Sequence, residues 1–204
     1  MLPVLIQGPA AAADKSVKLV VLGDSLSAGY GLPVQQAFPS KLAVALKAKS
    51  LAVDVVNAGV SGDTASGGLG RLDWSVPDGT EAVLLELGAN DALRGVDPNL
   101  TRQALDGILS KLQARHIPVL LAGMLAPPNM GADYGHEFNA IFPALAKKYD
   151  AIYYPFFLDG VAANPKLDQA DGMHPNADGV DVIVARIMPK VEELIARAKT
   201  ARGS

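Results

Sequence analysis

Three residues of this 204-residue chain have the types and spacing for nucleophilic acyl chemistry: Ser25 near the start, Asp171 and His174 near the other end. A serine hydroxyl attacks poorly until a base takes its proton, and the base works best when a third group orients it. Ser25 stands in Gly23-Asp24-Ser25-Leu26-Ser27, directly after the apolar run Val17-Lys18-Leu19-Val20-Val21-Leu22. Open α/β sheets put their chemistry outside the carboxyl ends of the strands, which is where such a serine sits. Asp171 precedes His174 by three residues. One turn therefore aims its carboxylate at Nδ1 and leaves Nε2 for the serine. In isolation a Gly-Asp-Ser triplet is an ordinary turn or cap, and Asp-x-x-His is short.

Acyl transfer also needs donors for the oxyanion, and two polar blocks offer them. After Val55-Val56 comes Asn57-Ala58-Gly59-Val60-Ser61-Gly62-Asp63-Thr64, where Gly62 can bring a backbone N–H close to a carbonyl with no side chain in the way. After Leu84-Leu85-Glu86-Leu87 comes Gly88-Ala89-Asn90-Asp91, whose Asn90 amide is a neutral donor. With the Ser25 N–H these make three donors. Taken singly, Gly62 reads as a turn glycine and Asn90 as an Asx turn or cap. Asp24 and Asp91 read as acceptors that fix their loops.

Something must hold these blocks together. Short apolar runs alternate with helix-length amphipathic segments, the pattern of a parallel sheet covered on both faces. Strands are expected over 18–22, 53–57, 82–87, 118–122 and 152–155. The third and fourth are nearly continuous apolar runs, as strands buried on both faces should be. Phe38-Pro39-Ser40 opens a helix, and Leu105, Ile108, Leu109 and Leu112 give another one apolar face. The last helix keeps that period through Val180, Ile183, Val184, Ile187, Val191, Leu194 and Ile195, with Asn176 as its N-cap. The fold class is α/β: a three-layer α/β/α sandwich around a parallel, flavodoxin-like five-stranded sheet. Residues 17–200 are expected to form a single domain behind a tail at 1–16. Irregular stretches are expected over 59–78, 94–99, 126–135 and 159–174, all at one end of the sheet, where long loops serve a site. The terminal Ala201-Arg202-Gly203-Ser204 reads as a disordered end, His116 as a helix-end residue, His136 as a loop residue near the site, and Trp74 as an anchor.

Composition narrows the partners. Half the residues are hydrophobic and 19% are charged, which excludes disorder for most of the chain. The net charge of −3 carries no basic stripe, so nucleic acid is not an expected partner. With no cysteine, thiolate catalysis and Cys-type zinc sites are excluded. No other histidine has a metal-ligand partner at usable spacing, so neither metal nor cofactor is expected. No stretch approaches the roughly 20 apolar residues of a membrane span. Residues 1–14, ending in Ala10-Ala11-Ala12-Ala13-Asp14, read as a truncated or partly processed secretory leader, hence a periplasmic or secreted protein. The alternative is a flexible tail on a cytoplasmic one.

The blocks Gly23-Asp24-Ser25-Leu26, Ser61-Gly62-Asp63-Thr64, Gly88-Ala89-Asn90-Asp91 and Asp171-Gly172-Met173-His174-Pro175 stand in the order of the SGNH (GDSL) hydrolases, named for their Ser, Gly, Asn and His. The chain resembles that family from about Lys18 to the final helix. Any one block is weak evidence; four in order, each at a strand exit, are strong. The resemblance implies Ser25 as nucleophile, Gly62 and Asn90 as oxyanion donors with the Ser25 amide, His174 as base and Asp171 as its orienter. Longer matches, Gly23 to Gly31, Glu86 to Gly95 and Leu145 to Asp150, look like the periplasmic thioesterase I/lysophospholipase branch and its arylesterase relatives. Members of that branch act on esters and acyl thioesters without a cofactor. In it, Leu93-Arg94-Gly95-Val96-Asp97-Pro98 corresponds to a mobile substrate loop. Leu93, Arg94, Gly95, Met124 and Met130 are accordingly the candidate acyl-binding residues, with packing on the sheet edge as the alternative.

The leading functional expectation is a serine esterase or thioesterase, a monomer or small homo-oligomer, taking short- to medium-chain acyl groups on a small-molecule ester or thioester. A carbohydrate O-acetyl esterase uses the same site, but exposed aromatics would then be expected and aromatic content is 5%. A non-catalytic binding module is opposed by the intact set of five residues. A nucleotide binder built on Gly67-Gly68-Leu69-Gly70 lacks both a preceding strand and a P-loop lysine. Nor does Ser25 sit in the Gly-x-Ser-x-Gly elbow of α/β-hydrolases.

Overall fold

The computed structural model describes residues 15–202. The leader reading of residues 1–14 and the Gly203-Ser204 end lie outside the described residues. In chain order the elements are β1 (Val17–Gly23), α1 (Ser25–Ala28), α2 (Phe38–Ala48), β2 (Val53–Gly59), α3 (Ala65–Gly70), α4 (Leu72–Ser75), β3 (Ala82–Glu86), α5 (Ala89–Leu93), α6 (Pro98–Ala114), β4 (Val119–Ala122), α7 (Ala132–Asn139), α8 (Ile141–Tyr149), β5 (Ile152–Tyr154) and α9 (Ala177–Arg202). Short 3₁₀ turns cover Val34–Gln36 and Pro128–Met130.

The five strands pair in the order β2-β1-β3-β4-β5, all parallel. In this order the connections turn outward between β1 and β3, the switch point where open sheets leave a crevice. The register matters as much as the order. Gly23 lies opposite Gly59 on one side and Glu86 on the other, and Glu86 lies opposite Ala122. The strands therefore end on one line, and the loops that follow them leave from a common edge.

Burial explains why these runs became central strands. Val20, Val21, Leu22, Val83, Leu84, Leu85, Leu120 and Leu121 are fully buried, so both faces of β1, β3 and β4 are covered. Each such side chain contributes roughly 1.5–3 kcal/mol of burial free energy. Helices α2 and α9 pack together over the sheet, while α6 packs with α3 and α8 in the other layer. Helix α6 starts at Pro98 with Asp97 capping the Asn99 N–H at 2.8 Å. Helix α9 starts after Asn176, whose Oδ1 accepts from the Gly179 N–H at 3.0 Å. All seven periodic apolar residues of α9 are buried.

Several sequence expectations are corrected. The stretch 59–78 contains α3 and α4, with Thr64 capping the Gly67 N–H; three glycines within α3 conceal its helical pattern. Asn99 belongs to α6, and residues 132–135 belong to α7, which also carries His136, so His136 is helical. Ala201 and Arg202 continue α9, because Arg202 Nε donates to Glu81 Oε1 at 2.6 Å and its guanidinium also reaches the Lys15 and Ser16 carbonyls. Trp74 is 78% exposed and anchors nothing among the described residues. His116 is a helix-end residue as expected: it closes α6 with a φ of 55° and donates its N–H to the Gln113 carbonyl at 2.9 Å.

Candidate active site

The chain leaves β1 at Gly23 and turns at once into α1. Asp24 is the cap: its Oδ1 accepts from the Leu26 N–H at 3.0 Å, which fixes Ser25 in the first turn. The cap is therefore the aspartate and not the serine. Ser25 is 8% exposed, enough for its hydroxyl to face the crevice.

Across 149 residues of sequence, His174 Nε2 lies 3.0 Å from Ser25 Oγ. On the far side of the ring, Nδ1 lies 2.7 Å from Asp171 Oδ2. The other oxygen, Asp171 Oδ1, accepts from the backbone N–H groups of His174 and Met173, both at 3.0 Å. These two backbone donors, together with the imidazole, hold the Asp171 carboxyl down at about 2 although it stands near solvent. The carboxylate remains an anion throughout the neutral range. With its proton on Nδ1, facing that anion, His174 keeps Nε2 as an acceptor for the serine hydroxyl.

Gly62 and Asn90 come to the same crevice from opposite sides of β1. Gly62 has φ = +82°, a conformation that a side chain would strain, and lies in the turn after β2. Asn90 lies in α5 after β3; its Nδ2 donates to Asp24 Oδ2 at 3.2 Å, which leaves its second N–H free of that bond. One arginine reaches both: Arg94 donates to the Gly62 carbonyl at 2.9 Å and lies 3.5 Å from Asn90 Oδ1. Ser25, Gly62, Asn90, Asp171 and His174 are thus brought together.

The acyl-binding candidates divide. Leu93 is 53% exposed and Gly95 lies against Met130, so this segment presents apolar surface. Met124 is 4% exposed and packs in the core, offering almost no surface to an acyl chain. Tyr134 pins the 93–98 loop from below, donating to the Val96 carbonyl at 2.9 Å. Asp91 acts as the sequence suggests: it accepts from the Ala65 N–H and the Thr101 hydroxyl, joining α3 and α6 to the site.

Beneath Ser25 lies an acid pair that sequence reasoning misses. Glu86 is wholly buried at the end of β3; its Oε2 accepts from Ser27 Oγ at 2.7 Å and faces the Asp24 N–H at 3.3 Å. Its Oε1 has no hydrogen-bond partner among the described residues. Burial, reinforced by the Asp24 carboxylate, pushes the Glu86 carboxyl well above the usual range. Burial likewise raises Asp24 to about 6. An acidic residue inside an otherwise apolar strand is the available signal. Arg71 has no sequence signal: it donates to Gly23 and Ala58 carbonyls, to Ser75 and, at 2.6 Å, to Asp63, tying the ends of β1 and β2 to the Gly62 turn.

A family model, the GDSL-like lipase/acylhydrolase family, matches residues 21–182. The chain is 40% identical over 193 residues to thioesterase 1/protease 1/lysophospholipase L1 of Escherichia coli (strain K12), covering 94% of this chain and 90% of that protein. It is 41% identical over 172 residues to an arylesterase of Vibrio mimicus, covering 82% and 84% of the two chains. Among solved structures, AlinE4, an SGNH-hydrolase family esterase, superposes with a TM-score of 0.76 at 47% identity, covering 89% of this chain and 98% of that one.

Proposed function

Since the chain belongs to the GDSL-like lipase/acylhydrolase family and is an ester hydrolase of the serine esterase/thioesterase kind, we propose that Ser25 carries its reaction as an acyl-serine intermediate. The observation behind this is the unbroken series Ser25 Oγ, His174 Nε2, His174 Nδ1, Asp171 Oδ2, at 3.0 and 2.7 Å. His174 takes the Ser25 proton as Oγ attacks the acyl carbon. The oxyanion rests on the Ser25 and Gly62 N–H groups and the Asn90 amide. The protonated His174 then gives its proton to the departing alcohol or thiol. Water, activated by the same ring, attacks the acyl-serine and frees the acid. No step needs a metal or cofactor.

The preferred acyl group is short- to medium-chain and apolar, received along the 93–95 loop and Met130. This rests on exposed Leu93 and on the apolar surface of that segment. The relatives are a thioesterase, a lysophospholipase and an arylesterase by name, which favours acyl esters over acetylated sugars. Among the described residues no helix is long and apolar enough to cross a membrane. We place the enzyme in the periplasm or outside the cell on the residue pattern of its first fourteen positions. A panel of p-nitrophenyl esters from acetate to palmitate, with acyl-CoA thioesters, tests the reading on wild type and Ser25→Ala. Activity should peak below the long-chain esters and vanish in the variant. Wild-type rates in Ser25→Ala would overturn it, and activity confined to acetylated sugars would favour the glycan reading.

A further inference from the structure

The base and the nucleophile sit on segments far apart in sequence, and the 159–174 stretch that presents His174 contains no regular helix or strand. A single long hydrogen bond is a poor way to hold a general base, since a displacement of about 1 Å can cost on the order of a hundredfold in rate. Something else must fix the loop against α1. Among the described residues, Gln169, a residue outside the five, makes such a connection.

Gln169 precedes Asp171 by two positions. Its side-chain Nε2 donates to the Tyr30 carbonyl at 2.8 Å and to the Pro175 carbonyl at 2.9 Å, spending both amide protons. Its backbone N–H donates to the His174 carbonyl at 2.7 Å. One residue thus grips the two successive carbonyls that follow the imidazole, those of His174 and Pro175, and ties them to a segment 139 residues away. That segment belongs to the nucleophile: the Tyr30 N–H donates to the Ser25 carbonyl at 3.1 Å. Gly31 sits where any Cβ would collide with the Gln169 amide oxygen, so the close approach is built into both sides of the staple. The Tyr30 ring completes it, lying over the His174 imidazole with centroids 4.6 Å apart and planes tilted by 36°. Tyr30 is 54% exposed, so its place is not explained by core packing.

We propose that Gln169 and Tyr30 are positioning residues that hold His174 against Ser25: Gln169 by clamping the His174 and Pro175 carbonyls to the Tyr30 carbonyl's segment, Tyr30 by fixing the plane of the ring. The proposal rests on the reading of Ser25 and His174 as nucleophile and base. The aromatic face over the ring also favours the imidazolium formed during acyl transfer, as it would another cation.

The test is steady-state hydrolysis of p-nitrophenyl butyrate by purified Gln169→Met, Tyr30→Ala, Tyr30→Phe and the Gln169→Met/Tyr30→Ala double variant, with Ser25→Ala as control. Residual full activity in Ser25→Ala would remove the underlying reading whatever the others do. Given an inactive control, Gln169→Met should lower kcat roughly 10- to 100-fold while KM stays within about threefold, because a misplaced base slows turnover and not binding. Tyr30→Ala should lose kcat in the same sense, and Tyr30→Phe, which keeps the ring, should recover most of that loss. The double variant should lose little more than the worse single one, since both act through one imidazole. Unchanged kcat with only a lowered melting temperature, or a raised KM at constant kcat, would overturn the proposal for that residue. A double-variant loss equal to the product of the single losses would show that they do not act on a common group. Tyr30→Ala alters an exposed side chain, so the test survives if Gln169→Met fails to fold.

Discussion

The buried acid pair under the nucleophile makes stability fall as pH rises through the mildly acidic range, and Glu86→Gln should remove part of that fall. Glu86 faces the Asp24 carboxyl and N–H, the Ser27 hydroxyl and, across the sheet, Ala122; Arg71 reaches the neighbouring Gly23 carbonyl instead. Among the described residues no cation faces Glu86, so the folded state keeps its proton longer than the unfolded chain does. In the unfolded chain Asp24 ionises at its ordinary 3.8, and in the fold at about 6, raised chiefly by burial. Over that window the folded state binds the extra proton, so each rise in pH costs stability at ~1.4 kcal/mol per pH unit per retained proton. Asp24 alone therefore accounts for a loss of about 2 kcal/mol between pH 4 and pH 6. Glu86, also raised by burial, extends the loss upward from the ordinary glutamate range. The amide that Glu86→Gln introduces cannot ionise and can still accept from Ser27. Urea unfolding of wild type and Glu86→Gln at pH 4.5, 6 and 8 measures the effect. The wild type should lose more stability over that span than the variant. Parallel curves would mean that Glu86 is as ionised in the folded protein as in the unfolded one, and would refute the reasoning.

Asp171→Asn should cut kcat for p-nitrophenyl esters by about 10³- to 10⁴-fold with little change in KM. The amide oxygen would accept the Met173 and His174 N–H groups, leaving its NH₂ to face Nδ1 and force the imidazole proton onto Nε2. Asn90→Ala should cost about 10²- to 10³-fold in kcat, measured on the same esters, because the oxyanion loses a preorganised donor. Arg71→Met should lower the unfolding free energy by about 3 kcal/mol in urea titrations. It strands the Asp63 carboxylate in a largely buried setting and takes one donor each from the Gly23 and Ala58 carbonyls.

The sheet is legible in the sequence because burial on both faces leaves apolar runs that need no partner to be read. Val17–Gly23 and Ala82–Glu86 can be placed within a residue or two of their ends for that reason. Helix α9 is legible from its period, but its true end is not, since Arg202 is held by Glu81 from the start of another strand. Helix α3 is hidden by Gly67, Gly68 and Gly70, whose weak helix propensity is overridden by Thr64 capping and by packing on α6. The five site residues are legible through their motif order. Glu86 leaves one trace, an acid inside an apolar strand, whereas Gln169, Tyr30 and Arg71 act through contacts between separate segments that local spacing does not record. Met124 misleads because an apolar side chain after a strand serves a core as readily as a crevice.

The central claim is that Ser25 becomes acylated. Intact-protein and peptide mass spectrometry, after rapid acid quench of the enzyme turning over a slowly deacylating p-nitrophenyl ester, reads this directly. The expected result is one acyl group per chain, mapped to the peptide carrying Ser25, and none on Ser25→Ala. An acyl group on another residue, or hydrolysis by Ser25→Ala at the wild-type rate, would contradict it.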